Sequence, residues 1–452
     1  MKGPPRMDRR QFLGRGAAAL AVPAFVSAGA LGLSGCRRPG PSARVTVGMV
    51  GLGAQGFDNL RQLLRLSDVQ VVAVCDVDSL HYRDNPWGEG PQYGREPAQA
   101  HVEKHYAAAQ KSGNYSGCAA MTDFRDLCAR ADIDAVVIST PDHWHALCAL
   151  EAIRAGKDVY GEKPLTHFFD EARVLCDEVA KRKTIFQTGT QQRSMPVFRR
   201  AVEIVRNGHL GRIERIEVGL PDGYDKPMGD DKVESPPDHL NYEMWTGPAP
   251  LLPYMRARNH RWWRGHRAYG GGTLMDWIGH HNDIAEWGLA PEQARIERVE
   301  AVGWTFPETD IYNTPVHFEI ACRFAGGVES SISDRHKQGT KWIGDRGWLF
   351  VTRSFIDASD PRWQSPDFDA GGFKVAPSTG HHRNFIDGVK SRSACIAPPE
   401  TAWQSITPGF LGYVSHSVRR PLRWDASRRT IIDDAEADAQ LRAREYRAPW
   451  SL

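Results

Sequence analysis

One turn constrains this chain more than any other feature. Gly51-Leu52-Gly53-Ala54-Gln55-Gly56 joins a β-branched run, Arg44–Val50, to a segment, Gln55–Arg65, whose apolar residues Phe57, Leu60, Leu63 and Leu64 recur at helical spacing. A glycine triplet of this spacing says little alone; between a strand and a helix it reads as a phosphate cradle. Gly51 permits the tight turn, Gly53 lets backbone approach a pyrophosphate, and Gly56 lets helix and strand pack closely. The helix N-terminus adds unpaired N–H groups and the positive end of its dipole.

The alternation continues beyond the turn. Val69–Cys75 and Asp134–Ser139 are unbroken apolar runs of the kind buried on both faces of a parallel sheet. Helix His145–Ala155, strand Asp158–Tyr160, helix Phe169–Lys181 and strand Thr184–Gln187 follow, with a Gly/Pro/Asn-rich loop, Asp84–Pro97, inserted before helix Ala98–Gln110. After about Gln192 the rhythm changes to helix Pro196–Asn207 and strands Ile213–Val218, Ile296–Trp304, Val316–Phe324 and Val328–Ser333, with two long polar loops, Gly219–Asn241 and Asp357–Gly380. The fold class expected is α/β: an N-terminal Rossmann-type, doubly wound parallel sheet over 42–192, then a C-terminal α+β domain over 193–452 on a large, mostly antiparallel sheet.

The formal charge of +2 leaves no basic stripe for nucleic acid, so that partner class is set aside. Much of the positive charge sits at the start, where Lys2, Arg6, Arg9, Arg10 and Arg15 face one acid, Asp8, ahead of the uncharged run Gly16–Gly35. The pair Arg9-Arg10, followed by Gln11-Phe12-Leu13, resembles a twin-arginine export signal over 1–36, departing from it at Asp8 and Gly14. Leu33-Ser34-Gly35-Cys36 resembles a lipobox, which makes Cys36 the lipidated first residue of an exported, periplasmic or membrane-anchored protein; cleavage after Ala28-Gly29-Ala30 is the alternative. The other seven cysteines form no C-x-x-C pair and several lie in apolar runs, so neither disulfides nor a metal site are expected.

Asp76 ends the second strand, where a carboxylate can accept hydrogen bonds from both hydroxyls of an adenosine ribose and would repel a ribose phosphate; the expected dinucleotide is therefore NAD. Three more segments carry chemistry: Thr140-Pro141-Asp142-His143-Trp144-His145, Glu162-Lys163-Pro164, and the run Gly270–Asp283, in which Asp276 and His280 share a helix face. Together with the tail segments His381–Asp387 and Pro421–Asp425, they resemble the glucose–fructose oxidoreductase, inositol dehydrogenase and rhizopine-catabolism family, written Gfo/Idh/MocA. The resemblance covers almost the whole chain beyond its first 36 residues. It implies a catalytic group of Lys163, Asp276 and His280, with Thr140, Pro141, His145, Glu162 and Lys163 beside the cofactor, and it implies a homo-oligomer formed through the antiparallel sheet.

The residues agree with that carry-over. A neutral imidazole suits removal of a hydroxyl proton, and a cationic lysine suits the developing alkoxide. His143, Trp144, Arg193 and Trp262 are candidates for the substrate pocket, with packing the competing role for each, and Trp263 shares the candidacy of its neighbour. The expected substrate is a small sugar, glycoside or polyol. Export favours a retained NAD, used either for net oxidation or in a redox-neutral glycoside cleavage that needs a further base; His143, His260 and Tyr269 are the candidates for that base. A non-catalytic glycan-binding lipoprotein is the reading from another class.

Overall fold

The computed structural model describes residues 43–83, 88–110 and 112–452, and Val45–Leu452 form one unit. The segment over 1–36 expected to be an export signal, and Cys36 with it, lie outside the described residues. Among those described, β1 (Val45–Val50), β2 (Val69–Cys75), β3 (Ala119–Met121), β4 (Ala135–Ile138), β5 (Asp158–Gly161) and β6 (Phe186–Thr188) make a six-stranded sheet in the order β3-β2-β1-β4-β5-β6. Every pairing in it is parallel. Strands β1, β2, β4 and β5 are buried along nearly their whole length, as their unbroken apolar runs require. The strand order reverses between β1 and β4, so the carboxyl ends of these two open a crevice where a ligand can enter.

A second sheet holds β7 (Ile213–Gly219), β8 (Ile296–Thr305), β9 (His317–Phe324), β10 (Glu329–Ser333), β11 (Gly339–Gly344), β12 (Gly347–Val351), β13 (Ile356–Ala358), β14 (Leu422–Asp425) and β15 (Thr430–Ile431). Its nine strands run in the order β13-β12-β11-β7-β10-β9-β8-β14-β15, antiparallel except where β10 meets β7. The hairpin of β11 and β12 was not legible in the sequence: both strands open on glycine, and the turn between them, Asp345-Arg346, follows a run interrupted by Lys341 and Gly344. Helix Arg95–Ala107 also starts earlier than its apolar pattern suggested, capped by Gly94, so the preceding loop is shorter than expected.

Two long helices join the sheets. Gly272–Trp287 and Pro399–Val418 pack on one another and on the large sheet, and Pro399–Val418 also packs on helix Phe169–Arg182 of the first sheet. The chain then reverses any simple division at residue 192, because helix His381–Ser391 returns to the parallel sheet. Its Phe385 and Ile386 join the core of Val45, Val47 and Leu60, and Arg383 pairs with Asp68 at 2.6 Å.

Close packing explains why the turn demands its glycines. Gly51 has φ +83°, and a Cβ there would lie 2.6 Å from the Ser139 carbonyl carbon; a Cβ on Gly56 would lie 2.0 Å from the Gly51 carbonyl oxygen. Neither backbone can yield without moving β1 or β4. Gly56→Ala should therefore lower the unfolding free energy by about 1–3 kcal/mol in urea titration. A loss below about 0.5 kcal/mol would show that the turn relaxes freely.

Candidate active site

A cleft of about 400 Å³ starts at the glycine turn and ends at the helix Gly272–Trp287. Gly53 borders it with no atom within 4 Å of where its Cβ would stand, which leaves the open backbone approach a pyrophosphate needs. Asp76 lies on the same wall. Its Oδ2 accepts from the Leu52 amide at 2.6 Å and its Oδ1 from the Asp78 amide at 2.9 Å. Each oxygen keeps a further lone pair for a ribose hydroxyl. Burial pushes the Asp76 carboxyl up to about 6, against the pull of those two amides.

The strand ends build the middle of the cleft. Thr140 and Pro141 line it, and the buried Thr140 Oγ1 has no hydrogen-bond partner, a vacancy suited to a polar ligand. His145 sets this wall, since its Nδ1 lies 2.6 Å from the Pro164 carbonyl and its Nε2 lies 3.0 Å from that of Thr140, clamping two strand-end loops together. Glu162 accepts from Asn59 Nδ2 at 3.0 Å and from Gln55 Nε2 at 3.2 Å, tying the end of β5 to the helix that follows the glycine turn. Burial raises its carboxyl. Gln55 and Asn59 were not singled out from sequence, because polar residues inside an amphipathic helix give no local signal of a distant partner.

At the far end Lys163 Nζ donates to Asp276 Oδ1 at 2.5 Å and to the Asp276 carbonyl at 2.9 Å. Arg264 Nε stands 3.0 Å from the same Oδ1. Burial works against it, yet the Arg264 and Lys163 cations hold the Asp276 carboxyl well below the usual carboxylate range. His280 lies one turn further along the helix and is 7% exposed, set behind the cleft wall, and its Nδ1 has no partner. Burial, then the charges of Lys163 and Arg353, hold it well below the ordinary histidine value, so its imidazole is neutral at pH 7.

Several sequence candidates land elsewhere. Arg193 does not reach the cleft: its guanidinium holds Asp283 through bonds of 2.7 and 2.8 Å, both side chains buried, and lies over Trp287. A bidentate buried pair satisfies it more fully than a substrate could. His143 is likewise withdrawn, its Nε2 3.0 Å from the Trp245 carbonyl and its Nδ1 3.2 Å from that of Tyr269. Trp144 does border the cleft, but at the cofactor end beside Phe124, with its Nε1 donating to Trp245 O at 2.9 Å. Trp262 turns toward Tyr224, leaving its neighbour Trp263 on the cleft wall with Arg264 stacked over it at 4.1 Å. Adjacent residues on a tight turn point apart, and sequence alone does not say which points inward.

Arg264 and Asp142 are two more residues to which the sequence assigned no role. Asp142 is 1% exposed, and neither carboxyl oxygen has a side-chain hydrogen-bond partner. Burial pushes it up to about 7, with Arg264 pulling the other way. A raised folded value means that the native state binds a proton which the unfolded chain has released. This contribution is full below about pH 4 and is lost as pH climbs towards 7. Asp142→Asn should therefore gain stability relative to the parent as pH rises from 4 to 8, by on the order of a few kcal/mol at about 1.4 kcal/mol per pKa unit. Parallel urea titrations across that range read the difference; a pH-independent difference would remove the assignment.

Residues 197–452 match the family model described as the oxidoreductase family's C-terminal alpha/beta domain, and residues 89–190 match that of its NAD-binding Rossmann fold. A glycosyl hydrolase family 109 protein of Shewanella sp. (strain W3-18-1) is 33% identical over 133 residues, 29% of this chain and 25% of the relative, so the chain spans about a quarter of that protein's length. An inositol 2-dehydrogenase of Burkholderia multivorans is 31% identical over 167 residues, 36% of this chain and 42% of the relative. The crystal structure of GenD2 from gentamicin A biosynthesis in complex with NAD superposes with a TM-score of 0.59 at 18% identity, covering 86% of this chain and 99% of that one, a likeness of fold. Matched over more than half its length by one family model, the chain belongs to the Gfo/Idh/MocA oxidoreductase family, and its parallel sheet is that family's NAD-binding Rossmann domain.

Proposed function

We propose that this protein oxidises a hydroxyl-bearing carbon of a sugar, glycoside or polyol, or reduces the corresponding carbonyl, using an NAD that it holds tightly. The observation that carries the reading is the Lys163–Asp276 pair, which stands at the far end of the cleft that begins at the glycine turn. When bound, NAD supplies the acceptor or donor for hydride. Gly51, Gly53, Gly56 and Asp76 would hold its phosphates and ribose, with Thr140, Pro141 and Glu162 shaping the wall between them and Lys163.

The chain's own residues divide the proton work. Two of the three Lys163 N–H groups are committed to Asp276, which leaves one for a substrate oxygen. Lys163 and Arg264 outnumber the single ionised carboxylate of Asp276, and that excess of positive charge favours an alkoxide in the cleft. Neutral His280, one helical turn beyond Asp276, is the proposed acceptor of the hydroxyl proton, a role that requires the substrate to reach past the cleft wall. Desolvation around all of them strengthens each interaction.

Two further features belong to the proposal. Arg9-Arg10 and Cys36 support export and lipid anchoring, and a protein outside the cytoplasm has no exchanging NAD pool, which favours a cofactor carried with the folded chain. The nine-stranded sheet offers the surface for pairing with a second copy. A redox-neutral glycoside cleavage remains the second reading, favoured by the glycosyl hydrolase family 109 relatives. A glycan-binding role without chemistry is disfavoured by the intact Lys163, Asp276 and His280.

Native protein should retain dinucleotide through gel filtration and show its reduction by absorbance when challenged with a panel of sugars and glycosides. Product analysis then separates net oxidation from hydrolysis. Lys163→Ala and His280→Ala should each slow single-turnover reduction by about a hundredfold or more. Undiminished turnover in the double variant would overturn the assignment.

A further inference from the structure

The helix that carries Asp276 bears a strip of aromatic rings beside it. Trp277 follows Asp276 directly, and His280 and His281 stand three and four residues beyond Trp277, so the three rings are neighbours on helix Gly272–Trp287. His281 stacks on Trp277 with centroids 5.7 Å apart and planes 14° from parallel, and His280 meets Trp277 edge to face at 5.7 Å. Trp277 is only partly buried, unlike the two imidazoles.

Arg353 reaches this strip from another part of the fold, the turn between β12 and β13. Its Cζ stands 5.2 Å from the centre of the Trp277 ring. In the amide orientation that satisfies both its ends, Gln192 donates to the His280 carbonyl at 2.9 Å and accepts from Arg353 Nε at 3.1 Å. An exposed arginine ordinarily keeps much rotamer freedom; this one is held by a ring and by an amide, one residue removed from His280 in each case.

Its charge nevertheless lacks a partner. Among the described residues no carboxylate lies within ion-pair distance of Arg353, and the acid that acts on it is Asp276, which Lys163 and Arg264 already share. With Nε committed to Gln192, the N–H groups of the two Nη atoms are left to donate. An arginine held in place and short of a carboxylate is prepared for one carried by a ligand.

We propose that Arg353, set over Trp277, binds a carboxylate on the substrate, so that the sugar this site takes is an acidic one, a uronic acid or its glycoside. This rests on the oxidoreductase reading above and narrows its substrate class. A carboxylate suits the guanidinium better than a phosphate does: planar N–H groups match planar oxygens, and a monoanion balances one unpaired cation. The placement also serves His280. A hydroxyl reaches that imidazole only if the substrate passes the cleft wall, and a carboxylate seated on Arg353 draws the sugar past Trp277 toward it. Burial first, then the charges of Lys163 and Arg353, hold His280 below the ordinary histidine value; a carboxylate on Arg353 cancels part of that pull and leaves a stronger base.

The test uses the full protein loaded with NAD and a panel of methyl uronosides, each beside its uronamide, its parent methyl hexoside and the corresponding hexoside phosphate. Reduction of the bound NAD, followed by absorbance, shows whether sugars react at all; if none of any charge does, the oxidoreductase reading itself fails. Isothermal titration should show a methyl uronoside bound about ten- to a hundredfold more tightly than its uronamide, as a charge-assisted pair implies. Arg353→Gln should bring that ratio close to one, and Arg353→Lys should restore part of it. Unchanged NAD content and unfolding temperature report that each variant is folded. A ratio near one in the parent, a preference that survives Arg353→Gln, or tighter binding of the phosphates than of the uronosides would overturn the proposal while leaving the hydride chemistry intact.

Discussion

The short contact between Lys163 and Asp276 is where the two halves of the molecule become one site. Lys163 stands just beyond β5 of the parallel sheet, and Asp276 sits in the first turns of helix Gly272–Trp287, which rests on the large sheet. Taking two charges out of water is expensive, and a buried pair recovers that expense only with good geometry and further hydrogen bonds. Here the lysine also donates to the Asp276 carbonyl, and Arg264 approaches from a third element. Removing Asp276 would leave the Lys163 and Arg264 cations, both partly buried, without their shared carboxylate, so the relative placement of sheet and helix is set by electrostatics as well as by packing.

The same arrangement divides the cleft by charge. Asp58 and Asp76 lie on the wall with the glycine turn, while at the far end the cations Lys163 and Arg264 share the single carboxylate of Asp276. Asp142, buried between Arg264 and the start of the helix, tempers that positive end: with its carboxyl pushed up to about 7, it supplies a full negative charge only above neutrality. A site built this way favours a negatively charged oxygen on the substrate without needing one in the ground state.

Much of this was legible in the residues, and for physical reasons. The glycine turn is readable because steric exclusion at Gly51 and Gly56 admits no other residue, and the parallel sheet because strands buried on both faces must be continuously apolar. Lys163, Asp276 and His280 were legible as motifs, and the fold brings the first two into contact across 113 residues of chain. What stayed hidden was direction. Arg193 and Arg264 are both arginines near the site, yet one is consumed by Asp283 and the other faces Asp276. Trp262 and Trp263 differ only in which way a tight turn aims them, and Asp142 acquires its character solely from burial. These depend on partners distant in sequence, which no local pattern encodes.

The account turns on one cleft holding a dinucleotide at its glycine end with its reactive ring at Lys163. A crystal structure of the native protein with NAD tests this directly. The pyrophosphate should lie against Gly53 and the N-terminus of helix Ala54–Leu64, the adenosine ribose at Asp76, and the nicotinamide against Thr140 and Pro141 with its reactive face toward Lys163 and Asp276. A dinucleotide bound elsewhere, or one whose nicotinamide points away from Lys163, would contradict it.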